Sequence, residues 1–215
     1  MTGNLTLDGL RISNAGQTIA ALDLRIEPGE VVTIMGPSGS GKSTALAAIL
    51  GTLAPVFTVQ GRILLNGRDI TTLPPHLRKI GLLFQDDVLF PHLSVGGNLA
   101  FAIPPDIRNR AERRNIIETA LDDAELSGFA DRDPATLSGG QRARVALMRT
   151  LLARPCALLL DEPFSRLDAA LRTQIRSFVL DRIRAERLPT LLVTHDREDA
   201  QAAGGRVITP LGAPL

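Results

Sequence analysis

The stretch GPSGSGKST occupies residues 36–44, directly after the apolar run VVTIM and directly before the helical run ALAAIL. Within it, Gly36, Gly41, Lys42 and Ser43 stand at the spacing of a phosphate-binding loop. Glycines let successive backbone N–H groups converge on phosphate oxygens at a helix N-terminus, where the helix dipole favours negative charge. The stretch predicts a nucleotide site, with Lys42 on the β- and γ-phosphates and Ser43 on Mg²⁺. Its predicted contacts are Gly36, Pro37, Ser38, Gly39, Ser40, Gly41, Lys42, Ser43 and Thr44.

The composition is that of an ordinary globular domain. The 215 residues are 44% hydrophobic and carry 24 basic and 23 acidic side chains, a formal net charge of +1. A chain of this length buries a full core, and a balanced charge attracts neither nucleic acid nor anionic lipid. We therefore expect one domain and no nucleic-acid partner. Only Lys42 and Lys79 are lysines, so a Gly/Ser turn that acquires the required lysine by chance is a poor alternative for residues 36–44.

The sequence has the features of a cytosolic protein. Its single cysteine, Cys156, has no partner for an internal disulfide, which fits a reducing compartment. The uncharged stretch 43–61 approaches the length of a membrane span, but it contains Gly51, Pro55, Gln60 and several hydroxyl side chains. The N-terminus has no basic start followed by an apolar block. We expect the chain to stay in the cytosol.

Four short apolar runs, at 31–35, 80–84, 157–160 and 190–193, predict buried strands of a parallel sheet. Each run leads into a polar element. These elements are the phosphate loop, Gln85, the pair Asp161 and Glu162, and His195. Ligands of open parallel sheets bind at the carboxyl ends of the strands. We therefore expect all four elements at one site of an α/β fold.

Two further patterns complete the predicted architecture. Segments 5–12, 19–26 and 62–65 alternate or mix apolar and polar residues, and Asn66-Gly67 is a hairpin turn signal, so an antiparallel β layer should lie beside the parallel core. Residues 101–153 turn helical, mainly at 108–121 and 141–152. We expect a single domain, 1–215, with its core and β layer at 1–85 and 155–215 and a helical subdomain at 86–154.

Asp161 and Glu162 follow the apolar run at 157–160. Asp161 would emerge at the sheet edge beside the phosphate loop, suited to hold Mg²⁺ directly or through water. The neighbouring Glu162 is a candidate general base that polarises the attacking water. Alone, an Asp-Glu pair after an apolar run is more often a solvated strand end. The phosphate loop in the same chain favours the catalytic interpretation.

A second glycine-rich helix start lies at 137–141, where Ser138, Gly139, Gly140 and Gln141 open a helical run. One interpretation is a second anion site. The alternative is an ordinary serine cap with glycines that ease the entry to the helix. This segment alone favours the cap.

Together these segments resemble the ATP-binding subunits of ABC transporters, whose signature loop corresponds to 137–141. The resemblance spans nearly the whole chain. It implies a P-loop NTPase (RecA-like) fold with a mostly parallel core, an N-terminal antiparallel β layer and a helical signature subdomain. It assigns Gln85 to the Q-loop on nucleotide and Mg²⁺, 165–168 to the D-loop with Asp168 facing the nucleotide, and His195 to the switch histidine that contacts the γ-phosphate.

The resemblance also implies the activity and the partners. ATP would lie between the phosphate loop of one subunit and the signature loop of another, in a head-to-tail homodimer with two sites. Mg²⁺-dependent hydrolysis would drive opening and closing of this dimer beneath integral membrane permease subunits. We expect an importer type, with an extracytoplasmic solute-binding protein in the same system. The subunit itself would be peripheral, at the cytoplasmic face of the inner membrane of a bacterium.

Two features concern the partner and the base. Residues 85–95 resemble the segment that bacterial importers of this family place under the permease, and Val88, Leu89 and Phe90 are the expected docking patch. The alternative is that these residues pack inside the helical subdomain. The family usually has an aromatic ring near position 13 to stack on adenine, but this chain has Ser13 and no aromatic residue before Phe57.

Without that ring, base recognition would rest on aliphatic contact from Ile12 or Ile19, which predicts tolerance of GTP. Because the chain ends 20 residues after His195, we also expect no C-terminal regulatory domain.

Two alternative functions of the chain stay open. One is an ABC ATPase of DNA repair, chromosome or ribosome work, although heptad runs, a second ATPase domain and basic arms are missing from the sequence. The other is an inactive scaffold that binds ATP without hydrolysis.

Overall fold

The computed structural model describes residues 3–215. Within this range the chain forms two β-sheets and six α-helices. The strands are β1 Leu5–Asn14, β2 Gln17–Ile26, β3 Val31–Met35, β4 Phe57–Leu65, β5 Arg68–Asp69, β6 Ile80–Leu83, β7 Ala157–Asp161, β8 Thr190–Thr194 and β9 Val207–Ile208. The helices are α1 Lys42–Leu50, α2 Val95–Ala102, α3 Arg110–Asp123, α4 Gly139–Leu152, α5 Ala169–Ala185 and α6 Arg197–Ala203.

The central sheet is parallel, in the order β6-β7-β8-β3-β9. Its inner strands are short and mostly apolar because both faces are covered, and every residue of β8, including Thr190 and Thr194, is buried. In register, Leu160 lies beside Leu192 on one side and beside Leu83 on the other. The four predicted parallel strands are therefore confirmed, with ends that differ by at most one residue. Their carboxyl ends all face the same edge of the sheet.

The second sheet is antiparallel, in the order β2-β1-β4-β5. Asn66 and Gly67 join β4 to β5 with φ angles of 55° and 76°, the left-handed conformations of a two-residue hairpin turn. Inward side chains of this sheet, among them Leu7 and Ile63, share one hydrophobic cluster with β3, β7, β8 and α1. The predicted antiparallel β layer is thus confirmed, and it covers the phosphate-loop helix.

Helices α2, α3 and α4 surround a hydrophobic cluster of their own, which includes Leu99, Leu121 and Val145. The helix predicted at 108–121 runs from Arg110 to Asp123, because the side chain of Asn109 caps the N–H groups of residues 111 and 112. Helix α4 also packs on α5 and the central sheet. The division at 86 and 154 stays a prediction. None of the helices in 3–215 combines the length and apolarity needed to cross a bilayer.

Candidate nucleotide site

The phosphate loop connects β3 to α1 and is wrapped around Lys42. Lys42 is the first residue of α1, and Gly41 precedes it with a φ of 97°. The ammonium group donates hydrogen bonds to the carbonyls of Gly36 and Pro37, at 2.8 and 2.9 Å. The side chain is only 5% exposed. The two carbonyls thus fix the position of the Lys42 amino group at the mouth of the loop.

The loop needs its glycines for different reasons. A Cβ on Gly41 would lie 2.6 Å from the carbonyl oxygen of Ile19, so the loop and strand β2 approach too closely for a side chain. Gly39 has a φ of 79° with open space around a Cβ, so backbone conformation requires glycine there. The hydroxyl of Ser40 is buried and has no hydrogen-bond partner among residues 3–215. A buried, unbonded hydroxyl inside a glycine-rich helix start fits a phosphate ligand.

Ser43 and Asp161 form the part of the site that suits a divalent cation. The hydroxyl of Ser43 at the start of α1 donates to the carboxylate of Asp161 at the end of β7, at 3.5 Å. Burial raises the pKa of Asp161, and repulsion from Glu162 adds to this, while the Ser43 hydrogen bond and Lys42 lower it. Hydroxyl and carboxylate oxygens are the donors that Mg²⁺ takes. A bound cation would relieve the desolvated charge on Asp161.

Glu162 lies between the pair Ser43 and Asp161, which suits a divalent cation, and the end of β8. Its carboxylate approaches the Nδ1 of His195 at 3.1 Å and the ammonium of Lys42 at 3.8 Å. Its φ is 48°, an uncommon conformation for a non-glycine residue. Its N–H donates to the carbonyl of Val193 on β8, and its carbonyl accepts from both the N–H and the hydroxyl of Ser165. These hydrogen bonds fix the turn, which directs the Glu162 carboxylate toward the phosphate loop.

The second glycine-rich helix start is the N-terminus of α4. Ser138 accepts from the N–H of Gln141 at 3.3 Å, and Gln141 accepts from the N–H of Ser138 at 3.0 Å, a complete capping box. A Cβ on Gly140 would lie 2.5 Å from the Leu171 side chain of α5, so packing explains that glycine. A Cβ on Gly139 has no neighbour closer than 3.9 Å. Packing within the chain therefore accounts for Ser138, Gly140 and Gln141 but not for Gly139.

Five of the expected site residues are joined by contacts at one edge of the central sheet: Lys42, Ser43, Asp161, Glu162 and His195. Gly36 and Pro37 join this group through carbonyls that accept from Lys42. Among residues 3–215, no side-chain hydrogen bond or ion pair joins Gln85, Asp168 or the residues at 138–141 to it. Gln85 is exposed beyond β6. Asp168 caps α5 by accepting from the N–H of Leu171 at 3.0 Å. Their proposed nucleotide contacts therefore require either a movement or a second protein chain.

A family model described as ABC transporter matches residues 19–165, from β2 through the phosphate loop and the α4 start to the end of the Glu162 turn. The chain belongs to the ABC transporter family.

Three relatives show how much of each chain is shared. The uncharacterized ABC transporter ATP-binding protein YnjD of Escherichia coli is 51% identical over 181 residues, which cover 84% of this chain and 83% of YnjD. The thiamine import ATP-binding protein ThiQ of Cereibacter sphaeroides is 44% identical over 204 residues, 95% of this chain and 87% of ThiQ. The spermidine/putrescine import ATP-binding protein PotA of Frankia alni is 47% identical over 190 residues, 88% of this chain but 40% of PotA.

In this ABC transporter chain, the two aliphatic residues expected to contact the base lie in different environments. Ile12 is fully buried in the hydrophobic cluster beneath the antiparallel sheet, so the prediction that it contacts the base is wrong. Ile19 is partly exposed and abuts Gly41 of the phosphate loop. Ser13 pairs with Thr18 across the β1–β2 hairpin. Of the two aliphatic candidates, only Ile19 can reach a nucleotide.

The predicted docking segment divides into surface and interior residues. Val88 is 55% exposed, and Phe90 packs edge-on against the 71% exposed Phe101 at a ring separation of 4.8 Å. Leu89 is partly buried and packs against two hydrophobic clusters of the interior, so its part in the surface patch stays a prediction. Arg149 of α4 supports the segment by donating to the Val88 carbonyl at 2.9 Å.

Sequence reasoning missed two residues behind the site, Arg172 and Asp196. Arg172 lies one turn into α5 and Asp196 directly after His195, and they form an ion pair at 2.5 Å. An arginine inside an amphipathic helix has no special signal, since most such residues are solvated. The only sequence feature that could have pointed to this pair is the acidic residue next to His195.

Proposed function

We propose that this chain is the ATP-hydrolysing subunit of a bacterial ABC importer. The observation that carries the proposal is the placement of Glu162 between Lys42 and His195, next to a phosphate loop. ATP lies with its phosphates on the N–H groups of residues 36–44 and on Lys42. Ser40 supplies its free hydroxyl to the same phosphates.

Ser43, Asp161 and Gln85 are the residues that would hold the Mg²⁺ that accompanies the nucleotide. When bound, the ion neutralises charge on the phosphate oxygens. The proximity of the Ser43 hydroxyl to the Asp161 carboxylate, at 3.5 Å, supports this donor set. Gln85 would reach the site by a movement of the segment after β6, which connects the catalytic core to the helices around α4.

Glu162 acts as the general base, since its carboxylate can accept the proton of a water aimed at the γ-phosphate. His195 contacts the γ-phosphate, and its Nδ1 lies 3.1 Å from the Glu162 carboxylate. A scaffold that binds ATP without hydrolysis needs neither residue. Their contact, in a turn held at an uncommon φ, supports hydrolysis over the scaffold alternative.

The active unit is a head-to-tail homodimer. In it the start of α4, with Ser138, Gly139, Gly140 and Gln141, faces the nucleotide on the phosphate loop of the other copy, and Asp168 lies beside it. The open space around Gly139 supports this arrangement, because a nucleotide or a second backbone can approach there closely. ATP binding closes the dimer and hydrolysis opens it, which converts binding energy into domain motion.

The dimer is peripheral, at the cytoplasmic face of the inner membrane, where it drives integral permease subunits served by an extracytoplasmic solute-binding protein. Relatives named as import ATP-binding proteins support this placement. The test is an affinity purification of the tagged protein from detergent-solubilised membranes of its host. A polytopic permease among the bound proteins supports the importer. Exclusive recovery of DNA-, ribosome- or chromosome-associated partners would favour the other class of ABC ATPase.

Exposed apolar residues of the docking segment give a sharper form of this test. Val88→Asp and Phe101→Asp place charge on the patch formed by Val88, Phe90 and Phe101, and each should abolish permease association while soluble ATPase activity stays at the wild-type level. The reason is that both side chains are largely exposed, so the fold does not depend on them. Co-purification with the permease and phosphate release are the two measurements.

The matched control is Val56→Asp, which changes a 63% exposed valine outside this patch and should leave association intact. If Val88→Asp and Phe101→Asp retain the permease as fully as Val56→Asp, the patch is not the docking surface.

Loose base selectivity is expected from the absence of an aromatic residue before Phe57. An aliphatic contact from Ile19 supplies no hydrogen bond that distinguishes the polar groups of adenine from those of guanine, so the two bases should bind with similar free energies. The ratio of kcat/KM for ATP to that for GTP should therefore be within about threefold of unity. Steady-state hydrolysis of both nucleotides by the same preparation measures it. A strict preference for ATP would contradict this expectation.

A further inference from the structure

Arg172 donates hydrogen bonds to both of the loops that carry Glu162 and His195. It lies on the second turn of α5 with 23% of its side chain exposed. Its guanidinium donates to the carbonyls of Phe164 and Ser165, at 3.1 and 3.3 Å, and to the carboxylate of Asp196 at 2.5 Å. One planar group thus holds three acceptors from two different loops.

On the β7 side, Arg172 holds the turn that orients Glu162. The Glu162 carbonyl already accepts from the N–H and hydroxyl of Ser165, which fixes the turn internally. Arg172 fixes the same turn from outside, through the carbonyls of Phe164 and Ser165. The phenyl ring of Phe164 is buried in the core beneath. The position of the Glu162 carboxylate therefore depends on α5 as well as on β7.

On the β8 side, Arg172 holds the residue that follows His195. The Asp196 N–H donates to the hydroxyl of Thr194 at 3.0 Å, and one oxygen of the Asp196 carboxylate caps α6 by accepting from the N–H of Glu198 at 2.8 Å. The other oxygen accepts from Arg172. Asp196 is thus held at three points, and its neighbour His195, itself 56% exposed, is attached to a rigid backbone.

We propose that Arg172 is a positioning residue for nucleotide hydrolysis. By bridging the Glu162 turn to Asp196, it sets the separation of the Glu162 carboxylate and the His195 imidazole. The inference rests on the proposed function of these two residues. Arg172 does not contact the phosphate loop, so it acts on the geometry of the pair and leaves nucleotide binding unchanged.

Arg176, one turn further along α5, provides a matched control. It forms ion pairs with two residues of α6, the buried Asp199 at 2.9 Å and Glu198 at 3.9 Å. It makes no hydrogen bond to residues 162–165 or to Asp196 among the contacts of residues 3–215. Arg176→Gln removes a more deeply buried α5–α6 ion pair and leaves the hydrogen bonds of Arg172 to the two loops in place.

The first measurement compares kcat and KM for ATP in Arg172→Gln, Arg172→Lys and Arg176→Gln, with Tm recorded for each. We expect kcat of Arg172→Gln to fall by about tenfold to a hundredfold, as for a misplacement of about 1 Å, with KM changed less than about twofold. Arg172→Lys keeps the charge opposite Asp196 but cannot donate to all three acceptors, so its kcat should be intermediate. Arg176→Gln should lower Tm and leave kcat near the wild-type value.

The second measurement removes His195 in both backgrounds. If Arg172 acts through the Glu162–His195 geometry, His195→Ala lowers kcat less in Arg172→Gln than in the wild-type background. A role limited to stability gives two losses that multiply, and that result would overturn the inference. So would a wild-type kcat in Arg172→Gln. If the wild-type protein hydrolyses ATP and Glu162→Gln does not, the proposed function stands, and either of these two results then overturns only the inference about Arg172. Absence of hydrolysis in the wild-type protein overturns both.

Discussion

Replacing Glu162 by glutamine should reduce steady-state phosphate release by about a hundredfold to ten thousandfold while ATP binding persists. The amide keeps the size of the side chain but cannot accept a proton from the attacking water, and general bases contribute factors of this order. The phosphate loop, Lys42 and Ser43 are untouched by the change. Phosphate release gives kcat, and titration with a fluorescent ATP analogue gives the dissociation constant. We expect the ATP-bound variant to accumulate as a closed dimer in size-exclusion chromatography.

Glu198→Gln is the control for this experiment. It makes the same chemical change on α6, close to the site. The Glu198 side chain is 77% exposed, and its nearest cation, Arg176, is 3.9 Å away, so the change breaks no close ion pair. Its turnover should equal that of the wild type. Undiminished turnover in Glu162→Gln would show that another group accepts the proton, and the mechanism proposed above would then be wrong.

The central sheet could be predicted from sequence because its strands have an unambiguous pattern. The run at 157–160 is apolar at every position and ends at a carboxylate pair, and all four residues are fully buried in the structure. The phosphate loop was equally clear, since glycine, lysine and serine at fixed spacing leave few alternatives. Once these strands are parallel, their polar ends must meet. The contacts among Lys42, Ser43, Asp161, Glu162 and His195 follow from that topology.

Helix α2 could not be predicted, for a reason that lies in distant contacts. Its sequence, VGGNLAFA, contains two glycines and an asparagine, which are poor helix formers. The Ser94 side chain caps its first turn, at 3.1 Å from the N–H of Gly97. The fully buried Asn98 bonds the N–H and carbonyl of Phe90. Tertiary hydrogen bonds stabilise this helix against its own propensity, and no local pattern encodes them.

The exposure of residues 88–90 was also beyond sequence reasoning. Three consecutive apolar residues predict either that all three lie on the surface or that all three lie in the interior. They do not predict that the fold places them in different environments. Val88 has a φ of 42°, which turns the backbone so that Val88 faces solvent and Leu89 faces the interior. Arg149 stabilises the turn by donating to the Val88 carbonyl. The contact of Arg172 with Asp196 is of the same kind, because it joins residues 24 positions apart.

Gly139→Glu should abolish turnover without unfolding the protein. Gly139 is the first residue of α4, and a Cβ there has open space around it, so the substitution adds no clash. A glutamate in the first turn is favourable for the helix itself. In the proposed head-to-tail dimer, however, the carboxylate faces the γ-phosphate bound by the other copy, where like charges repel. Phosphate release should fall about a hundredfold or more, as for loss of an oxyanion-stabilising group.

Gly140→Ala and Gly139→Ala separate packing from recognition at this helix start. A methyl on Gly140 meets Leu171 at 2.5 Å and should lower Tm, whereas a methyl on Gly139 should leave Tm unchanged or slightly higher. The dissociation constant for ATP of the separated Gly139→Glu subunit should remain at the wild-type value, because the phosphate loop is intact. Weakened binding by the isolated subunit would instead place Gly139 at its own nucleotide.

Mixing two inactive variants tests whether the sites are shared. Lys42→Ala removes the ammonium of the phosphate loop, and Gly139→Glu spoils the start of α4. In a mixed head-to-tail dimer one site then contains both defects and the other contains none. Because about half of the dimers in an equal mixture are mixed and each has one intact site of two, turnover should recover to about a quarter of the wild-type rate. If the mixture has only the sum of its parents' rates, Lys42 and Gly139 do not complement each other across a shared interface.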